Sequence, residues 1–249
     1  MCRLTAYVGA PAPVGVLVFR GTHPLHEQSY LPRELTHGNV NADGYGVVWY
    51  RGSTPVRVAS DRPIWQDDNL HTLLEGTRSS TILAAIRNAT PGVPVCNGTL
   101  PLMHDPWSFV LNGFVEDFRA TYMRALRSLL PDDLYGELQG SSDSETLFLL
   151  AVAALRRGAS MPEALQEVRT QVLEALDSGR HEAQLTMVLA DSEQIALLHS
   201  ASVEATNSLY TAEAHPLTPE GTLVASEKLD DHPSWKAVTP HEGMYLTSA

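Results

Sequence analysis

Between residues 142 and 179 two helical stretches stand back to back, with β-rich runs on both sides, and this order leaves few folds open. SDSE at 142–145 puts Ser, Asp and Glu in a first turn, where side-chain oxygens meet free N–H groups. The apolar run LFLLAVAALRR then carries that helix to Gly158. The second helix has Pro162 in its first turn, shows Leu165, Val168, Val172 and Leu176 on one face, and is expected to stop at Gly179. Upstream, residues 4–9 (LTAYVG) read as a strand entering a turn at Ala10-Pro11. YGVVWYR at 45–51 and PVRVAS at 55–60 form a hairpin across Gly52-Ser53. Residues 69–78 look helical and 80–87 suit a buried strand. WSFVL and FVEDF flank Asn112-Gly113, and a helix is expected over 117–130. From 184 onward strands return in QLTMVLA, IALLHS, SLYTAEA, TLVASE and GMYLTS. Strands, then helices, then strands imply helices layered on an antiparallel or mixed sheet, an α+β fold. With no repeat and no Gly/Ser-rich linker, one domain over 2–249 is expected.

Composition narrows the function. There are 17 Lys or Arg against 29 Asp or Glu, a net charge of −12. Only Lys228 and Lys236 are lysines, and the arginines are scattered, so the clustered basic surface that nucleic acid requires is missing. No apolar run reaches the roughly 18 residues of a membrane helix. The start, broken by Pro11 and Pro13, reads as mature protein rather than as a signal peptide. Two cysteines, Cys2 and Cys96, make no disulfide scaffold and suit a reducing cytosol. The histidines offer no metal-ligand spacing and no Gly-rich phosphate loop occurs, so neither metal nor cofactor is expected.

Four places carry possible chemistry. Met1-Cys2 is a substrate for methionine removal, because the second side chain is small. Removal leaves a thiol and a free α-amine on one residue, with ordinary pKa values of about 8.5 and about 7.7–8.0. That amine is able to take the thiol proton and pass it on to a leaving amine. The alternative is a small apolar residue in a first strand. Asn112-Gly113 is either a type I′ hairpin turn or an oxyanion hole, with a side-chain amide and a backbone N–H aimed at one oxygen. Arg87, closing ILAAIR, is either a structural ion pair or a bidentate carboxylate grip. Asp143 is a helix-cap acid, or a partner for an α-ammonium group. Asn41-Ala42-Asp43-Gly44 is by itself a turn, and Ser226-Glu227 the end of a strand.

Taken together, the chain resembles the class II glutamine amidotransferases, N-terminal-nucleophile hydrolases with a four-layer αββα sandwich. The resemblance is carried by Met1-Cys2-Arg3, NADGYG at 41–46, RNAT at 87–90, WSFVLNG at 107–113, SDSE at 142–145 and Ser226-Glu227, in that order. It implies that Cys2 is the nucleophile with its own amine as base, and that Asn112 and Gly113 form the oxyanion hole. It implies further that Arg87, with Thr90 nearby, grips the substrate's α-carboxylate while Asp143 grips its α-ammonium. The family usually reads His-Asn-Gly where Leu111 precedes Asn112 here. Within the family, CRLTAYVGAP, Gln28-Ser29-Tyr30 with Pro32-Arg33, and VNADGYGVVWY are similar to the small stand-alone γ-glutamyl hydrolases of ergothioneine biosynthesis. That similarity implies cleavage of γ-glutamyl-hercynylcysteine sulfoxide to glutamate and hercynylcysteine sulfoxide; His37-Gly38-Asn39, ahead of the NADG segment, departs from those relatives and is where substrate choice is expected to rest. Two other readings stay open: a glutaminase or amidotransferase subunit acting on free glutamine, and a catalytically silent γ-glutamyl-binding subunit. Tyr7, Trp49, Tyr50, Trp65 and Trp107 are each either core or an aromatic face for a quaternary ammonium.

Overall fold

The computed structural model describes residues 2–34, 40–88, 98–176, 180–204, 206–240 and 243–247. Alternation of side chains along the strands builds two sheets that share one apolar layer. The first strand, β1 (Arg3–Pro13), points Leu4, Ala6 and Val8 into that layer and Tyr7 to the other side. The hairpin β2 (Tyr45–Arg51) and β3 (Thr54–Ser60), and β4 (Arg78–Ile86), alternate in the same way. Val48, Tyr50, Leu83 and Ala85 face inward, whereas Tyr45, Val47, Trp49, Ile82, Ala84 and Ile86 face outward. Three short helices, α1 (Val16–Phe19), α2 (Leu25–Gln28) and α3 (Leu70–Glu75), cover the outward face.

The second sheet contains β5 (Leu102–His104), β6 (Trp107–Val115), β7 (Ala183–Ala190) and β8 (Gln194–Ala201). Between β6 and β7 in chain order lie α4 (Met123–Arg127), α5 (Asp132–Gly136), α6 (Asp143–Arg156) and α7 (Met161–Ala175). Phe109 of β6 stacks on Phe148 of α6 with ring centroids 5.3 Å apart, which marks the helix-facing side of this sheet. The remaining strands are β9 (Tyr210–His215), β10 (Thr218–Ala225), β11 (Trp235–Ala237) and β12 (Gly243–Thr247). The seven-stranded sheet runs β11-β9-β10-β1-β4-β2-β3 and the five-stranded sheet β12-β8-β7-β6-β5. Helices, sheet, sheet, helices: the α+β architecture is an αββα sandwich, as expected.

Several local expectations need correction. β1 does not turn at Ala10-Pro11. It continues to Pro13 through a register irregularity between Val8 and Ala12, where a strand tolerates residues that cannot donate to the ladder. Asn112-Gly113 makes no hairpin turn. Both residues lie within β6, paired across to Thr186 and Leu185 of β7, so the two β-rich runs around them are one strand. The helix expected over 117–130 is broken into a wide turn at Phe118–Tyr122 and α4, followed by α5. Asp117, in the left-handed region at φ 49°, starts that break. The last long helix ends at Ala175, and Gly179 lies outside the described residues. At the other long helix, the Ser142 Oγ accepts the Glu145 N–H at 3.2 Å, as the SDSE pattern predicts.

Candidate active site

Cys2 precedes β1 directly and Arg87 follows β4 directly. The register between these strands pairs Arg3 with Ile86, so Cys2 and Arg87 sit opposite each other at one open end of the sandwich. The NADG segment fixes the arginine's backbone. Asp43 N–H donates to Arg87 O at 3.1 Å, and Arg87 N–H donates to Gly44 O at 2.8 Å. Gly44 holds φ at +113°, where a side chain would be strained, and a Cβ there would meet Ser60 O at 2.6 Å. The Arg87 side chain is buried, and Gly98 lies flat against its guanidinium, so close that a Cβ would come within 3.3 Å.

The facing sheet brings β6 to the same end. Asn112 is fully buried, and among the described residues neither atom of its side-chain amide has a hydrogen-bond partner. Its backbone carbonyl accepts the Asn207 side-chain N–H at 2.9 Å. At Gly113 the neighbouring strand approaches so closely that a Cβ would stand 1.8 Å from Gln184 O. Only glycine fits. Asp143 opens α6, where the helix N-terminus favours its negative charge. Its Oδ2 accepts the Val115 N–H at 3.0 Å and its Oδ1 the Ser144 N–H at 2.7 Å.

Cys2, Arg87, Gly113 and Asp143 line one cavity of about 400 Å³, with Phe114 and Phe118 on its apolar wall. Four of the six residues singled out from the sequence therefore share a site. Asn112 sits beside Gly113 on the same strand but off the cavity wall, and Thr90 lies outside the described residues, as do Cys96 and His37-Gly38-Asn39. Burial pushes the Cys2 thiol up from its ordinary value, while the Asn88 backbone N–H and the Arg87 guanidinium pull the other way. Burial likewise raises the Asp143 carboxyl, against the N–H groups of Val115 and Ser144. A thiol raised in this way needs a base to become a thiolate.

Beneath Cys2 lies a buried polar cluster that the sequence reading did not assign. Glu227 stands 3.3 Å from Arg3 Nε and 2.5 Å from His23 Nε2, and its oxygens accept the backbone N–H groups of Arg33 at 2.7 Å and Glu34 at 3.2 Å. Arg3, His23 and Glu227 are all but inaccessible. Ser226 Oγ accepts the Leu4 N–H at 3.0 Å. The Ser226-Glu227 pair therefore does more than end a strand: it anchors the first residues of β1. Residues so far apart in sequence leave no local spacing to detect. The five aromatic candidates for a cation face fail together, since none lines the Cys2 cavity. Tyr7, Trp49 and Tyr50 are core, and Trp65 is exposed with its ring edge-on to Tyr30. Among the described residues no cluster of three His, Cys, Asp or Glu is placed to hold a metal, and no helix is long and apolar enough to cross a membrane.

Comparison with known proteins agrees with this geometry. Residues 28–248 match the family model for class II glutamine amidotransferases. The chain belongs to that family. Among curated members, the γ-glutamyl-hercynylcysteine sulfoxide hydrolase of Mycolicibacterium smegmatis is 31% identical over 240 residues, which cover 96% of this chain and 92% of that protein. The protein of the same name from Mycobacterium tuberculosis is 40% identical over 117 residues, so the matched stretch spans about half the length of that relative, 50%, and 47% of this chain. A class II glutamine aminotransferase domain protein from Silicibacter pomeroyi shares the fold, with a TM-score of 0.70 at 23% identity and coverage of 99% and 95% of the two chains. Its place in the family agrees with the two-sheet architecture.

Proposed function

We propose that this protein is a γ-glutamyl amidohydrolase acting on γ-glutamyl-hercynylcysteine sulfoxide, as a single domain from which Met1 has been removed. The observation that carries the reading is the convergence of Cys2, Arg87, Gly113 and Asp143 on one cavity. Similarity over nearly the whole length of the M. smegmatis hydrolase supports the substrate.

The chemistry follows from the groups present. With Met1 gone, the α-amine of Cys2 takes the proton from the raised thiol. The thiolate attacks the γ-carbonyl carbon, forming a C–S bond, and negative charge collects on the carbonyl oxygen. The Gly113 N–H on the cavity wall receives that charge, and the Asn112 amide, unpartnered among the described residues, becomes the second donor once its side chain turns from its buried position toward the cavity. As the C–N bond breaks, the ammonium of Cys2 returns the proton to the departing nitrogen. Water, deprotonated by the same amine, then attacks the thioester, releasing glutamate and restoring the thiol. Arg87 holds the α-carboxylate of the glutamyl group through paired N–H donors, and Asp143 holds its α-ammonium.

Two measurements test this. Intact mass of the purified protein is expected to show loss of Met1, since a retained methionine blocks the amine. Glutamate release is expected to be faster from γ-glutamyl-hercynylcysteine sulfoxide than from glutamine at equal concentration. The reverse order would overturn the substrate assignment.

A further inference from the structure

We infer that a second cavity, on the far side of Cys2 from Arg87, receives the leaving amine and is built for a long, positively charged one. This inference rests on the proposed γ-glutamyl hydrolysis. The cavity, of about 600 Å³, is lined by Glu34 and Tyr210 on one wall and by His199, Thr206 and Asn207 on the other.

Strand order sets its place. In the seven-stranded sheet β4 carries Arg87 on one side of β1, and on the other side come β10 and then β9, which begins at Tyr210. In the five-stranded sheet Asn112 of β6 pairs with Thr186 of β7, which pairs with His199 of β8. Both sheets thus step in the same direction, from the glutamyl-binding cavity past the reacting carbonyl to the second cavity. Two strand spacings separate β1 from β9, about 10 Å. Ammonia released from glutamine does not span that distance, whereas an amino-acid-sized amine with a side chain does.

Hydrogen bonds also tie the walls of the two cavities to each other. Asn207 donates its side-chain N–H to the Asn112 carbonyl at 2.9 Å, and the Glu34 backbone N–H rests on Glu227, which in turn faces Arg3 beside Cys2. The walls suit a cation with polar substituents. Tyr210 Oη donates to the Glu34 carboxylate, 3.1 and 3.0 Å from its two oxygens, which holds the negative charge in place. Burial and that carboxylate push the Tyr210 hydroxyl up to about 12, so it stays a donor. Thr206 Oγ1 lies 3.2 Å from His199 Nε2, and Thr186 Oγ1 lies 2.9 Å from His199 Nδ1, giving the opposite wall a fixed polar row. Two cations, Arg33 on the cavity rim and Lys228, whose Nζ lies 4.9 Å from the Tyr210 ring centroid, stand near enough to take an accompanying carboxylate. The ligand class is therefore a leaving amine that carries, apart from the nitrogen released at Cys2, a second cationic group set against Glu34 and a carboxylate.

The test compares Glu34→Gln and Tyr210→Phe with the parent protein. The readout is the ratio of kcat/KM for γ-glutamyl-hercynylcysteine sulfoxide to kcat/KM for glutamine. Each variant is expected to lower this ratio, Glu34→Gln about tenfold and mainly through KM, and Tyr210→Phe by less. An unchanged ratio in both variants, whether or not the overall rate falls, would overturn the subsite. A second arm needs no turnover: calorimetric binding of the free amine, hercynylcysteine sulfoxide, is expected with the parent protein and weakened about tenfold in Glu34→Gln. No binding by the parent would also overturn the subsite, while binding without hydrolysis of either amide would sink the catalytic reading alone.

Discussion

Replacing Gly113 with alanine perturbs β6 and the proposed oxyanion donor in one step, and its size follows from the packing. The added Cβ would lie 1.8 Å from Gln184 O and 2.7 Å from its carbonyl carbon. Carbon and oxygen settle at roughly 3.2–3.5 Å, so β6 and β7 must separate locally by about 1.5 Å. Forced into a well-packed sheet, such an overlap costs about 1–3 kcal/mol of stability. The catalytic cost is larger. Losing one oxyanion donor lowers kcat by about 10²–10³-fold, and a displacement near 1 Å at a reacting centre has a cost at the lower end of that range. The expected result is thus a folded Gly113→Ala protein with a Tm lowered by several degrees, kcat down at least a hundredfold and KM changed little. Gly136→Ala is the matched control, since a Cβ there meets nothing within 4 Å. It is expected to leave kcat unchanged. The measurements are steady-state glutamate release and thermal melting. A Gly113→Ala protein with kcat within threefold of the parent would refute the placement of its N–H at the reacting oxygen.

Other perturbations separate the remaining roles. Cys2→Ala is expected to abolish glutamate release while leaving the melt nearly unchanged, because the side chain is only partly buried. Measurable turnover would remove the nucleophile from the account. Arg87→Ala is expected to raise KM by about tenfold or more through loss of a bidentate pair, read directly from saturation curves. Because burial holds the Asp143 carboxyl above the ordinary value of about 3.9, it takes up its proton at a higher pH than a free carboxyl. The substrate ammonium loses its partner below that point, so kcat/KM is expected to fall on the acid side, and Asp143→Asn to flatten that limb. An acid limb identical in Asp143→Asn would assign it to another group. Phe109→Ala, removing a fully buried ring stacked on α6, is expected to cost about 3–5 kcal/mol in urea unfolding with no change in the ratio of rates on the two substrates.

How much of this was legible in the residues depends on whether local chemistry or long-range geometry decides each feature. The helices α6 and α7 were, because caps and apolar periodicity act within a few positions, as the Ser142 cap demonstrates. So was the β2–β3 hairpin, with Gly52 at φ +59° in its turn. β11 was missed, since three residues paired to β9 carry too little alternation to register. Asn112-Gly113 shows the opposite failure. Its local chemistry favours a turn, yet the pair lies mid-strand, because β7 approaches Gly113 too closely for any side chain and flanking Val110, Leu111 and Val115 all require burial. Glycine answers close approach in one setting and backbone freedom in the other, and the sequence alone does not distinguish them. The same reasoning explains why Cys2, Arg87 and Asp143 were given roles from the sequence whereas Glu227, though singled out with Ser226, was given none. Nucleophile, guanidinium and carboxylate are recognised by what they do to a substrate. Glu227 acts on Arg3, His23 and two backbone N–H groups, partners about 190 to 220 residues away that only the fold brings within reach. A charge so completely buried is costly unless its partners stay in place. It therefore holds the backbone beside Cys2 and the segment leading to Glu34 in one arrangement, tying the proposed nucleophile to the wall proposed for the leaving group.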